Sequence, residues 1–495
     1  SDSNDGSEAA PWQSLSHAVA QLTPGTGLIV AAGTYDPFQV AVSGTASEPI
    51  EIQAEDDVVI EVGVGSEVGI LVSGSHLRLR GFSIESDYDV NGILVGDGQQ
   101  ILADICNDLP TFEAALDEPE DWVAFLCGLQ TPAADVHLVQ DVVISGESRG
   151  GQRGSIVLAG ANRNSNGIQL TDAIEGITLS DYAISNVSSA IAGVDRFSLR
   201  RIQGITMEHL EVSDTKYYGI EISARVGWTF EETDPSVATV RAYRFETLTQ
   251  GVLTPVPLLT MEVSDLTLRD ATFRRGGWTE VGGGWEGYGN ALLQGIQGGV
   301  VEDSWFEDGA YWGMDALMCD DMLFRNNIFV VHDLVPDIPG ASGDVDRTQI
   351  TPFNGWPITN LEVNGGTNNR VYHNLFVGGE AGVFESYFPE DFYAESISVD
   401  IQNNLFYGSM TSISRFPLTA DFTHLQPNWV TNYLPMGVMD VDRMESNNLM
   451  DVGVNIEADG SQYLATDPEF FGTGNTVDPT LDPMFSDADF HLDAT

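Results

Sequence analysis

One short pattern recurs down most of this chain and limits the folds open to it: an alternating strand, a polar pair, then a bulky apolar residue. It appears as LRLRGFSI ending at Ile84, VQDVVI at Ile144, LSDYAI at Ile184 and MEHLEV at Val212, then as LRDATF at Phe273, VEDSWF at Phe306, FRNNIF at Phe329, VYHNLF at Phe376 and IQNNLF at Phe406. Between the closest neighbours the interval is 23 to 33 residues, the length of one turn of a solenoid, with longer gaps where loops are inserted. Stacked turns would place Phe306, Phe329, Phe376 and Phe406 above one another in the interior. Asn327, Asn374 and Asn404, two residues earlier, would then form a ladder of side-chain amides. A second strand follows seven or eight residues later, in SAIAGV, YGIEIS, YWGMDAL, EAGVFES and MTSISRF. Parallel strands joined by turns, without intervening 10- to 15-residue helical segments, argue against a doubly wound sheet or an α/β barrel. The expected fold is all-β: a right-handed parallel β-helix. Near the start, Leu15, Ala18, Val19 and Leu22 lie at helical spacing in Pro11–Leu22, ahead of a strand from Leu28 to Ala31. This predicts a capping helix that lids the first coil.

The segment PGTGLIVAAGTY, the NNxF coils and LDPMFSDADFHL together resemble the pectate-lyase-like superfamily of right-handed β-helix proteins over nearly the whole chain. Many members are secreted polysaccharide lyases, glycosidases or epimerases, so the resemblance implies the scaffold and, by analogy, a carbohydrate-active protein. Residues 1–495 are read as a single domain interrupted near 103–135, 225–262 and 333–365, and such insertions usually build the binding face of a solenoid. The family's proline-containing strand does not follow DFHL here. The expectation is an end covered by something else, with self-association through an uncapped coil as one way to cover it.

Charge narrows the partners. The 74 acidic residues against 20 basic ones give a formal net charge of -54, which repels nucleic acid and anionic membranes. Uronate polymers would need divalent cations such as calcium as bridges, while residence in salty water explains the charge more simply. No apolar run approaches the roughly 18 residues of a transmembrane helix. The opening SDSNDGSEAAPW carries no leader, and secretion with an already removed signal peptide is expected. Cys106 and Cys127 bracket one insertion, so a local disulfide is one reading of them, with Cys319 as a buried thiol.

Glycoside hydrolysis needs two carboxyl groups, one to give a proton and one to activate water or attack. Aligning YGIEIS with YWGMDAL puts Ile220 and Met314 inward and the candidates Glu221 and Asp315 outward, about two coils or roughly 10 Å apart. In a chain this acidic, carboxylates also fall on every face without any role. Lys216, the only lysine, is a candidate lyase base or a solvated turn residue that Asp214 keeps charged; Arg225 is a further lyase-type candidate. Trp278, Trp285, Tyr288, Tyr311 and Trp312 cluster near Asp315, either to stack on sugar rings or to pack on the solenoid flank. Asp320 and Asp321, with GDVDR at Gly343–Arg347, could collect calcium, although no EF-hand or nonapeptide spacing is present. The histidines, His332 among them, form no recognisable metal set. Two functions remain: a secreted protein that binds a polysaccharide and could cleave it, or a structural surface protein such as an adhesin or filament subunit.

Overall fold

The computed structural model describes residues 1–96, 138–158, 165–171, 173–194, 202–223, 263–281, 284–317, 319–336, 338, 341, 343–347, 358–364, 366–386 and 396–407. It also describes the strands at 228–231, 239–242, 246–249, 252–255, 411–415, 440–446, 449–450, 454–458, 461–463 and 476–477. Three long sheets run side by side. The first begins with Gly27–Val30, the second with Gly33–Tyr35 and the third with Phe38–Val40, and each coil contributes to them in that order. Strand pairing along the sheets is parallel until Val454–Ala458 meets Ser461–Tyr463 antiparallel. This is the right-handed parallel β-helix that the repeat predicts.

Within the strands, residues alternate between an apolar interior and the outer face, because successive side chains point to opposite sides of a sheet. One column of the second sheet runs Ile84, Ile156, Ile184, Val212, Phe273, Phe306, Phe329, Phe376, Phe406, all in the core. From Phe273 onward the rings stack, with successive centroids 5.2, 4.9, 5.2 and 4.9 Å apart. The repeat VQDVVI sits one sheet away from its expected place. Ile144 pairs with Leu79 and Leu179 in the first sheet, and Ile156 fills the column of Ile84. A β-branched run reads alike on either sheet, and only the following bend distinguishes them.

That bend explains the polar pair. Its first residue has a left-handed backbone in coil after coil: Asp181, His209, Asp270, Asp303, Asn326, His373 and Asn403, with φ between 49° and 60°. Asp, Asn and His tolerate this region better than other side chains, and Gly81 occupies the same position at φ 82°. His373 is accordingly a turn residue. The second residue of the pair builds the amide ladder. Asn327 donates through its backbone N–H (2.9 Å) and Nδ2 (3.1 Å) to Asn374 Oδ1, and Asn374 donates likewise to Asn404 Oδ1 at 2.8 and 3.1 Å. Asn374→Ala would strip buried groups on both sides of their partners, so a loss of about 1–3 kcal/mol per orphaned group is expected in denaturant unfolding.

The cap is a single turn and a half, Leu15–Val19, shorter than Pro11–Leu22. Ser14 caps its start by accepting from His17 N, and Leu15, Ala18 and Val19 face the first coil. The following strand is Gly27–Val30. Residues 103–135, with Cys106 and Cys127, lie outside the described residues, as does LDPMFSDADFHL and hence the end expected to self-associate. Cys319 is a buried thiol donating to Leu293 O at 3.3 Å. The region 225–262 holds two antiparallel hairpins, Trp228–Glu231 with Thr239–Ala242 and Glu246–Thr249 with Val252–Pro255. The third insertion is shorter than 333–365. After a hairpin of Leu334–Val335 with Val345–Asp346, strand Thr359–Asn364 is already back in the third sheet, where Leu361 and Val363 join the core. Among the described residues no helix is long and apolar enough to cross a membrane.

Candidate functional site

On the outer face of the third sheet one row reads Glu221, Leu292, Asp315, Glu362, Phe384, each on the strand next to the last. Ile220 and Met314 point into the core on either side of this row, so Glu221 and Asp315 do face outward. They stand two strands apart, roughly 10 Å at about 4.8 Å per strand. Glu362 is one strand from Asp315. Sequence reasoning misses it because TNLEVN falls within the expected insertion, although its alternation of Leu361 and Val363 is the signal that could find it. Both neighbours are buried, Asp315 at 7% exposure and Glu362 at 2%.

The cover around Asp315 is a second apolar core outside the helix. Tyr218, Leu292, Ala310, Tyr311 and Trp312 come from the coils, Trp278 from a hairpin with Gly284–Gly287, and Val335, Ile338 and Val345 from the 333–347 insertion, with Tyr288 and Leu317 packed at the edge. Leu292 is the lateral neighbour of Asp315, and Leu317 lies two residues on along the same strand, so this core borders the carboxyl directly. Of the five aromatic candidates, Trp278, Tyr311 and Trp312 are buried here, and Tyr288 is half-buried with its ring edge against Tyr217 and Tyr218. Trp285 lies on strand Gly284–Gly287, paired with Trp278–Val281.

A buried ion pair ties the insertion to the coil. Asp308 sits at the bend between the second and third sheets with φ 54°, in line with Asn186, Asp214 and Arg275, and four residues ahead of Trp312. Its Oδ1 accepts from Arg347 Nη2 at 2.8 Å and from His332 N at 2.9 Å, and its Oδ2 lies 2.9 Å from His332 Nδ1. Arg347, 5% exposed, also donates Nη1–H to the carbonyls of Gly309 (2.8 Å) and Ala310 (3.0 Å) and Nε–H to His332 O. The Trp278 ring lies 5.3 Å from the guanidinium carbon and its Nε1–H donates to Asp308 O. Burial pushes the Asp308 carboxyl up, but the His332 hydrogen bond and the Arg347 charge outweigh it and leave its pKa below the ordinary value. The same Asp308 hydrogen bond raises His332.

The remaining candidates fall elsewhere. Lys216 stands at the bend before Tyr218–Ser223, where its N–H donates to Val187 O and its carbonyl accepts from Thr279 Oγ1. Asp214 is taken by Arg275, at 2.7 and 3.0 Å. Arg225 lies outside the described residues. Asp320 accepts from Thr367 N and Oγ1 (2.8 and 2.9 Å), and Asn368 donates to Asp321; both acids head a first-sheet strand, apart from the row of Asp315. Among the described residues, the one set of three ligand-type side chains within mutual reach is Glu307, Asp308 and His332, whose histidine no sequence pattern singles out. Its members come from adjacent coils 24 residues apart, a spacing that no metal motif predicts. Their charge is already balanced: Arg347 and His332 hold Asp308, while Arg274 (2.9 Å) and Trp305 Nε1 (3.2 Å) hold Glu307. A divalent ion would have to displace those donors, so the set fits calcium poorly.

No family model matches the chain, and no curated protein matches it. Solved structures do. A tailspike protein of bacteriophage CBA120 (its enzymatically active domain) is 8% identical over 78% of this chain, with a TM-score of 0.39; this chain spans 44% of that one. An alginate lyase from a Paenibacillus species is 14% identical over 81% of this chain and 95% of its own, with a TM-score of 0.40. A rhamnogalacturonan lyase is 12% identical over 100% of this chain and 93% of its own, with a TM-score of 0.36. The likeness is one of fold.

Proposed function

We propose that the chain is a secreted, carbohydrate-active β-helix protein that binds a polysaccharide along the outer face of the third sheet and hydrolyses it with Asp315 and Glu362, which the bound sugar reaches by displacing the apolar cover over them. The side-by-side register of these two buried carboxyls carries the reading. The two acids sit opposite each other on adjacent strands, about 5 Å apart by strand spacing, and both are buried. Such a pair supplies a proton donor and a nucleophile or base at once. A spacing near 5 Å suits a retaining mechanism, whereas pairing of Asp315 with Glu221 at roughly 10 Å would suit inversion. The overall charge favours a neutral glycan, or an acidic one bridged by calcium.

A panel of neutral and acidic polysaccharides, with and without calcium, tests this. Reducing ends should appear without unsaturated products, and both Asp315→Asn and Glu362→Gln should abolish them. Unsaturated products lost in Lys216→Ala would replace hydrolysis with elimination. No product from any glycan would remove the enzymatic reading in favour of a structural one.

A further inference from the structure

Among the described residues the 333–347 insertion is fastened to the coil at Asp308, four residues upstream of Trp312, and Arg347 gathers four hydrogen bonds there. Arg347 directly follows the insertion's Val345–Asp346 strand. Its guanidinium reaches Asp308, Gly309 and Ala310, three consecutive residues of the bend that leads into the strand of Asp315, and returns to His332 at the insertion's own start. The rigid fork of an arginine can hold four such acceptors at once, and a lysine ammonium cannot match that planar geometry. Val335, Ile338 and Val345 are thereby held in the apolar cluster that contains Trp312 and Leu292, the latter beside Asp315, with Leu317 packed against it. Among the described residues, loss of the fork would leave the His332 bonds to Asp308 and the apolar contacts to keep the insertion in place.

We propose that Arg347 is a positioning residue for Asp315: by locking the insertion to the 308–310 bend it closes the second core around that carboxyl and fixes its surroundings. The relevance to catalysis rests on the hydrolytic role of Asp315 proposed above; the enclosure itself does not.

Carboxyl labelling with a water-soluble carbodiimide and an amine, read residue by residue by mass spectrometry, tests the enclosure without any substrate. In the wild type Asp315 should resist labelling. In Arg347→Ala its labelling should rise several-fold, and the amides of the Leu334–Val335 and Val345–Asp346 hairpin should exchange faster, while the coils carrying Phe306 to Phe406 keep their protection. Added guanidinium ion, below denaturing concentration, should restore both. Arg347→Lys should fall between, and it decides the matter if Arg347→Ala does not fold. Labelling of Asp315 that stays at the wild-type level in a folded variant overturns the proposal, and so does increased labelling that guanidinium leaves unchanged, since the side chain would then be mere filling. Wild-type inactivity on every glycan, with guanidinium restoring the shielding of Asp315 in Arg347→Ala, would sink the hydrolysis and keep the clamp. Activity with shielding indifferent to Arg347 would do the reverse.

Discussion

Phe329→Ala should destabilise the helix by about 3–5 kcal/mol, the cost of a cavity left by a fully buried ring. Phe329 is stacked on both sides, 4.9 Å from Phe306 and 5.2 Å from Phe376. It also fills the space beside Gly313, where an added Cβ would come within 3.0 Å of its ring. The surroundings are strand backbones held by ladders to both neighbours, so the site has little means of collapsing into the void. In a stack each coil draws its stability from adjoining coils, and the damage should show as faster amide exchange in the strands of Phe306 and Phe376 before it reaches the capped end. Phe329→Leu keeps most of the volume and should cost less than half as much. Unchanged exchange in both neighbours would mean that the rings do not support one another.

The repeat makes the fold legible because its two buried columns, the aromatic stack and the asparagine ladder, obey rules that act residue by residue. A ring is covered by the next coil's ring, and a left-handed bend favours Asp, Asn, His or Gly. Where the apolar residues are only β-branched, as at Ile144, period two is satisfied on either sheet and the register can slip. The candidate site is half legible. Glu221 and Asp315 follow from the same alternation, but Glu362 lies behind an insertion whose end the sequence does not mark. The Asp308–His332–Arg347 cluster joins residues up to 39 apart in sequence through a bend and a hairpin. Nothing in the spacing of Asp308, His332 and Arg347 announces a contact, since it depends on how the hairpin lies on the coil.

That cluster should also make the insertion's attachment depend on pH in two directions. The carboxyl of Asp308 has a folded pKa below its ordinary 3.8, so the stability it lends is fully present above that value and is lost as pH falls through the lower folded one. His332 behaves oppositely. Its folded pKa lies above the ordinary 6.5, raised by the Asp308 hydrogen bond and the nearby charges of Asp308 and Glu307 against burial and Arg347, so its contribution is complete below 6.5 and fades as pH rises through the folded value. Attachment is therefore strongest between about pH 4 and 6.5. Asp308→Ala should abolish the acid limb altogether and cost about 3–5 kcal/mol, because it strands the Arg347 guanidinium, only 5% exposed, without its counter-ion. His332→Gln should erase the alkaline limb and leave the acid one. Trp278, packed on that guanidinium, reports both through its emission, which should shift to the red as the cluster opens. An acid limb that survives in Asp308→Ala would belong to another carboxyl, and Asp308 would then not be the group whose ionisation holds the insertion down.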